Sequence, residues 1–570
     1  MKNRISISFI ILIGFCFTNA SARDYWGLRN IDTRAPDSVY VGFDADYYAF
    51  AVSWARSEIE DDQFTWEALD NSLDMSERFG GKVVLVVSCD SRWATGGETR
   101  APDDIDRRTP LADDPPQRGY SESLYDFTYN LVDHIAARDE LVVRYLRFVN
   151  EPEYNWEVDQ DYEQDVEDYV RCLRTFYIAA HTAADENDLE ILVSHGGFYY
   201  VHSLARKYYR LGEENEALQD SLIALLQSRY ERHATRINDW EDVTNLVEGR
   251  GGMPPNYWTD VMAGQTEWLD WFDVHYHFKP RFIFDELGSF EEVVQDSGGE
   301  LRPWLAAEAA MQLAEGSLTE YDEYFHAGDM ARKWILGMAF GLEGICTPLT
   351  GSPPEHFFGL FDDEQQEYMS AQTYRFLRSI IEPVEEPEDR SNGRRKAFRF
   401  RENSTSVKVI WLDALSDTDE IETGMIILGS EEFRSTEVYD IEGDLIGNVE
   451  SDDILELLVT QDPIIIVRHL WEGIGEENAG SVPSGFRLIS VYPNPFNSQT
   501  IINFSLSQPS SIRLAVYDLS GRVIDVIMED RLTQGEYQVV WNADGYPAGL
   551  YFIRLEKGSN YRICKALLVK

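Results

Sequence analysis

Two glutamates sit at the ends of short apolar runs. Glu151 follows Asn150 after the run from Leu141 to Val149, and Pro152 ends it. Glu308 closes Pro303-Trp304-Leu305-Ala306-Ala307. Two carboxyl groups brought to one rim by separate strands can divide a reaction between them: one protonates a departing oxygen, the other attacks or activates water. Around them stand groups able to tune a carboxylate. Phe272-Asp273-Val274-His275-Tyr276-His277-Phe278 is an aromatic and histidine cluster at the end of another strand-like run. His275 and Tyr276 are candidates to hydrogen-bond Glu308, and Arg56 is a candidate to hold it by charge. His275 and Arg56 also have plainer readings, a hydrogen-bonded core histidine and a surface or structural ion pair. Glu343 and Glu286 are rival carboxylates, but Glu343 falls at the start of a strand. His275 and His277 are expected not to face one ion. This disfavours a metal-dependent hydrolase, and no metal or other cofactor is expected.

The elements that must position these residues alternate. Tyr25–Ile31, Tyr47–Trp54, Lys82–Ser88, Leu141–Val149, Leu189–Ser194, Phe272–Phe278, Pro303–Glu308 and Glu343–Leu349 read as strands, rich in β-branched and aromatic residues. Helical spacing fills much of the chain between them: Leu69, Leu73 and Phe79 share a face before Gly80-Gly81, and further helices are expected over 121–137, 162–184 and 324–340. This alternation predicts an α/β fold, an eightfold (β/α)8 TIM barrel over 23–385 with its working face at the C-terminal strand ends. No Gly-rich phosphate loop follows the first strand, which weakens a dinucleotide-binding reading. The Pro-containing loop from 89 to 120, carrying Arg92-Trp93, is long enough to be functional or mobile. After residue 390 the pattern becomes short strands between polar turns, with a hairpin turn at Asp440–Asp444. This predicts a small all-β sandwich over 390–472, a linker at 473–486 and a strand-rich unit over 487–570.

The chain has 570 residues, too many for one core, and 44% are hydrophobic. A net charge of −51, spread along the chain, argues against nucleic acid or an anionic membrane as partner. Lys2 and Arg4, an apolar stretch over Ile5–Phe17 and Ala20-Ser21-Ala22 read as a secretory signal over 1–22, with no transmembrane helix expected in the mature chain. Cys89, Cys172, Cys346 and Cys564 lie far apart without metal-ligand spacing, and buried free thiols are expected.

Several segments resemble, in order, the retaining glycoside hydrolases of the large (β/α)8 clan that includes cellulases, β-mannanases, β-xylosidases and β-galactosidases. Trp54 to Glu60 with Phe64-Thr65-Trp66 and Leu69-Asp70 looks like that clan's second strand and following helix. Lys82–Ser88 with Trp93 looks like the third, Tyr145–Pro152 the fourth, Asp273–Tyr276 the sixth and Trp304–Glu308 the seventh. The resemblance implies that Glu151 is the acid/base, its pKa raised by the neighbouring carboxylate and partial burial, and that Glu308 is the nucleophile. Asn150 is then a candidate donor to a sugar 2-hydroxyl, and Trp93, Trp156 and Tyr154 are candidates to stack on a carbohydrate substrate, each of them equally readable as core packing. The chain departs from the clan where Ala307 and Ala309 flank Glu308, and where Ile345–Leu349 carries no Trp. The rival expectation is a non-catalytic carbohydrate-binding or cell-surface protein on a degenerate barrel.

The C-terminal unit resembles a type IX secretion sorting domain, through Tyr492-Pro493-Asn494-Pro495-Phe496-Asn497, Val516–Arg522, Trp541-Asn542, Pro547–Tyr551 and Lys565–Lys570. This implies that the type IX machinery is a partner, with export through the periplasm and across an outer membrane to the medium or cell surface.

Overall fold

The structure, a computed structural model, describes residues 24–29, 40, 43–138, 143–157, 162–197, 203–229, 237–248, 261–312, 323–350, 357–362 and 364–381 of the barrel part. Beyond it are described 387–392, 394–402, 405–413, 424–428, 433–450, 455–460, 462–470, 486–492, 496–506, 510–517, 522–533, 535–557 and 560–569. The expected signal segment lies outside these residues, as do almost all of the linker and the 382–386 stretch at the barrel's expected end.

Eight parallel strands form the barrel: β1 (Trp26–Arg29), β2 (Tyr47–Ser53), β3 (Lys82–Ser88), β4 (Val143–Phe148), β5 (Leu192–His195), β6 (Phe272–His275), β7 (Trp304–Glu308) and β8 (Gly344–Pro348). Their order is β5-β4-β3-β2-β1-β8-β7-β6. The seam between β5 and β6 is bridged by Asp270, whose N–H donates to the Val193 carbonyl at 2.8 Å and whose Oδ2 accepts from the Val193 N–H at 2.8 Å.

Local chemistry accounts for the elements. The helix Glu67–Phe79 buries Leu69 and Leu73 and stops at Gly80, whose φ of +79° suits a residue without Cβ. The helix Glu122–Ala136 is capped by Ser121, whose hydroxyl accepts from the Leu124 N–H. The long loop after β3 is tied down: Thr95 and Arg100 bond within it, Ala101 and Ile105 are buried, and its Thr99 carbonyl accepts from Glu157 N–H at 2.8 Å.

Two strands end earlier than the apolar runs suggest. β4 stops at Phe148, and both Val149 and Glu151 take left-handed backbone, φ +58° and +45°. That conformation is rare for a non-glycine residue and least natural for β-branched Val149. β6 stops at His275, and a shift in its register against β7 sets His275 opposite Glu308.

Beyond the barrel the sheets are antiparallel. A six-stranded sheet includes Arg395–Glu402, Thr405–Leu412, Ile464–Leu470, Phe433–Tyr439 and Leu445–Glu450. Phe398, Val409, Trp411 and Ile465 on it belong to the same apolar core as the barrel helices. The expected turn at Asp440–Asp444 joins two of its strands, with the Asp440 N–H donating to the Asp444 carbonyl at 3.1 Å. The last unit has three- and four-stranded sheets around its own core of Phe496, Trp541, Tyr551 and Leu555.

Candidate active site

The barrel interior alternates along each strand, and its last inward positions are polar. Arg29 ends β1, Arg147 points inward two residues after Tyr145, and Asp273 and His275 follow Trp271 on the inward face of β6. Glu151 arrives just past β4 and Glu308 ends β7. All of these lie at the C-terminal strand ends.

Arg147 and Asp273 are wholly buried and paired, Nη1 to Oδ2 at 2.8 Å. Burial pushes the Asp273 carboxyl up, against the pull of Arg147. Its Oδ1 also accepts from the Ala307 N–H at 3.0 Å, fixing β6 to β7 just before Glu308. The other arm of Arg147 donates to Asn150 Oδ1. With its oxygen engaged, the Asn150 amide nitrogen is left as the donor of that side chain.

His275 stands between the two glutamates. Its Nδ1 is 2.6 Å from Glu151 Oε1 and 3.9 Å from Glu308 Oε2. Its Nε2 faces Asp273 Oδ2 at 3.8 Å. A side chain on Gly197 would meet this ring at 2.2 Å, so the glycine after β5 is required by the histidine's position. His277 Nε2 lies 3.4 Å from Glu308 Oε1, and Arg29 pairs with Glu308 Oε2. Burial first, and the Arg147 and Arg29 charges second, hold His275 well below its usual value. Burial does the same to His277, helped by His275 and Lys333. Both rings are therefore neutral near pH 7. Burial, with Arg147 adding to it, brings Arg29 down to about 9.

Some expected residues are elsewhere. Arg56 is exposed on the short helix after β2, and the guanidinium on Glu308 is that of Arg29. Tyr276 turns away, as the residue after an inward histidine must; its hydroxyl donates to the Pro280 carbonyl at 2.9 Å. Trp156 is core, edge-on to Tyr169 at 5.2 Å, and is no sugar platform. Trp93 is half-buried, edge-on to Trp54. The Tyr154 side chain lies outside the described set. Glu286 is buried on the helix Ile283–Asp296, and Glu343 lies at the opposite, N-terminal end near Tyr145. The expectation that His275 and His277 diverge is also corrected. The strand has ended at His275, the His277 N–H turns back onto the His275 carbonyl at 2.9 Å, and both rings converge on Glu308.

Sequence reading passed over three residues. Arg29 and Arg147 could have been flagged as charges inside strand-like apolar runs. Lys333 carried no such signal. It is buried on the helix Glu323–Phe340, and its ammonium donates to the carbonyls of Tyr276, Phe278 and Ala310 at 3.0, 2.6 and 3.1 Å. It thereby ties together the loops that follow His275 and Glu308. Cys89, Cys172 and Cys346 are free and buried.

Comparison with solved structures gives a family 39 glycoside hydrolase from Bacteroides cellulosilyticus at TM-score 0.51 and 15% identity, covering 78% of this chain and 81% of that one. A bacterial orthologue of human α-L-iduronidase matches at TM-score 0.47 and 10% identity, over 95% and 97% of the two chains. A family 30 endoxylanase from Clostridium papyrosolvens matches at 0.43 and 9%, over 79% and 98%. The first of these supports the barrel fold. No curated protein matches the chain in sequence. Residues 490–570 match the family model described as a secretion system C-terminal sorting domain. That domain indicates export to the medium or the cell surface, and no described helix is long and apolar enough to cross a membrane. This chain thus carries a secretion system C-terminal sorting domain at 490–570, behind a (β/α)8 barrel of the fold found in a family 39 glycoside hydrolase.

Proposed function

We propose that this protein is a secreted glycosidase that cleaves O-glycosidic bonds of a poly- or oligosaccharide by a retaining double displacement. The observation that carries this reading is the approach of Glu151 and Glu308 to one nitrogen, His275 Nδ1, at 2.6 and 3.9 Å. Their nearest oxygens can be no further apart than the sum of those distances. That sum only reaches the lower end of the inverting range, roughly 6.5 Å, which favours retention.

In this mechanism Glu151 protonates the glycosidic oxygen while Glu308 attacks the anomeric carbon, giving a glycosyl ester on Glu308. Glu151, now ionised, takes a proton from water as that water displaces Glu308. Arg29 on Oε2 favours the ionised, attacking form of Glu308 before the ester forms. His275 passes a hydrogen bond to Glu151 in either state: Nδ1 accepts from the acid or donates to the carboxylate, according to tautomer. Asn150, its oxygen held by Arg147, presents N–H groups to a substrate hydroxyl.

A screen of aryl glycosides and glycans tests the reading. Glu308→Ala is expected to abolish turnover, with azide restoring it and giving a glycosyl azide of inverted configuration. Glu151→Gln is expected to cut turnover of substrates with poor leaving groups by about 10²–10⁴ while sparing activated aryl glycosides. Undiminished activity in Glu308→Ala removes it as nucleophile. The competing reading, a glycan binder without catalysis, draws on the engagement of Glu308 by Arg29; it predicts binding by wild type with no cleavage of any glycan bound.

A further inference from the structure

We propose that Glu151, His275 and His277 form a site for a borderline divalent transition-metal ion such as zinc or cobalt, and that a metal bound there shuts off the sugar chemistry. The donor atoms of these three side chains lie within 4.8 Å of one another. Zinc bonds of about 2.0–2.2 Å are reached from that spacing by contraction through side-chain rotation.

The donor set selects the ion. Two imidazoles and one carboxylate suit zinc, cobalt, nickel or copper rather than calcium or magnesium, which take oxygen ligands. Both rings are buried at the C-terminal rim, where an imidazole offers a nitrogen lone pair to an ion away from competing bulk water. The shell behind the ligands fits as well. With Nδ1 turned to Glu151, the far nitrogen of His275 faces Asp273 Oδ2 at 3.8 Å. A carboxylate behind a ligating histidine fixes its tautomer and strengthens its donation. Charge also permits the ion. Glu151, Asp273 and Glu308 face Arg29 and Arg147, and Lys333, the further cation acting on His277, is paired with Asp329 at 3.8 Å. Glu308 is not needed as a ligand, because Arg29 holds its Oε2. Three protein ligands leave a coordination position open to water.

The acidic groups Glu58, Asp61, Asp62 and Asp440, Glu442, Asp444 offer no imidazole, and serve as internal controls. The link to inhibition rests on the glycosidase reading, since a metal on Glu151 removes the acid; binding itself does not.

The test uses untagged full-length protein freed of metal with EDTA. Zinc titration by calorimetry is expected to show one site per chain, and cobalt to give the visible bands of a low-symmetry, nitrogen-containing site. His277→Ala and His275→Ala should each abolish this one-to-one binding while circular dichroism and thermal midpoint establish folding. Asp273→Asn should weaken binding about 10–100-fold. Glu58→Gln should leave it unchanged. Absence of a stoichiometric site, or binding that survives both histidine changes in folded protein, overturns the proposal. The outcomes separate the two readings. If a glycan is cleaved and stoichiometric zinc leaves the rate unchanged, the metal proposal fails and the glycosidase stands. If zinc binds as expected and the metal-free protein cleaves no glycan, the metal site stands and the glycosidase reading fails.

Discussion

The barrel interior has two layers that differ sharply although β4, β7 and the Trp271–His275 segment contribute to both. The lower layer is apolar: Tyr47, Val84, Tyr145, Trp271, Leu305 and Cys346 pack together, with Tyr145 edge-on to Tyr47 at 5.8 Å and to Trp271 at 5.6 Å. The upper layer, one or two inward positions further along, holds Arg29, Arg147, Asp273 and His275, with Glu151 and Glu308 arriving beside them. Tyr145 and Arg147 are two residues apart, as are Trp271 and Asp273. The lower layer is filled by shape and apolar area. The upper is held by ion pairs that desolvation makes costly and that stand only because each charge has a partner. The change comes where the strands end and the strained turn at Val149–Glu151 lifts the chain out of the sheet.

Breaking the upper layer is expected to have the largest effect. Asp273→Ala leaves Arg147 as a buried, unpaired charge and should cost about 3–5 kcal/mol in chemical denaturation. Arg147→Met with Asp273→Leu should recover most of that stability and none of the activity, which would separate the pair's structural from its positioning role.

Lys333→Met takes the ammonium from three buried carbonyls and should cost about 1–3 kcal/mol for each one left unsatisfied. In protein that still folds, kcat should fall with KM nearly unchanged, and Lys333→Arg should restore part of it. An equal loss of kcat and fold, with no rescue, would reduce Lys333 to a structural residue.

The pH dependence of stability follows from histidines buried neutral. Burial takes His195 down to about 4 and His326 to about 3. Above the unfolded value of about 6.5 neither state is charged and neither ring matters. Below it the unfolded chain binds protons that the native rings refuse. Stability should therefore fall with decreasing pH from about 6.5 towards 4, by at most about 1.4 kcal/mol per pH unit for each ring. Urea midpoints at pH 7, 6 and 5 measure the slope, and His326→Gln should flatten it.

The lower layer supplies the smallest effect. Tyr145→Phe removes a hydroxyl bonded to the Tyr47 side chain and 3.5 Å from Glu343 and leaves the ring packing, so it should change stability by about 1 kcal/mol and turnover hardly at all. A large loss of activity there would show that the two layers are not independent.

The alternation of strands and helices, the stop at Gly80 and the two strand-end glutamates were all legible in the residues. Each depends on the local backbone or on a period, and both are written along the chain. The sorting domain was legible for the same reason: its motifs are contiguous. What surrounds the glutamates was not. Arg56 and Arg29 are equally plausible cations on a linear reading, and only closure of the barrel beside β8 and β7 puts Arg29 on Glu308. Trp156 and Tyr276 look like site aromatics until the core claims them. Lys333 belongs to a helix, 25 residues after Glu308 in sequence, and reaches the loops only through packing. The sequence alone therefore determined the barrel, the tail and the pair of carboxylates, because periodicity and contiguous motifs are local. The tertiary structure alone decided their partners, because the strength of a buried charge pair depends on distance and desolvation, and neither exists before the strands meet.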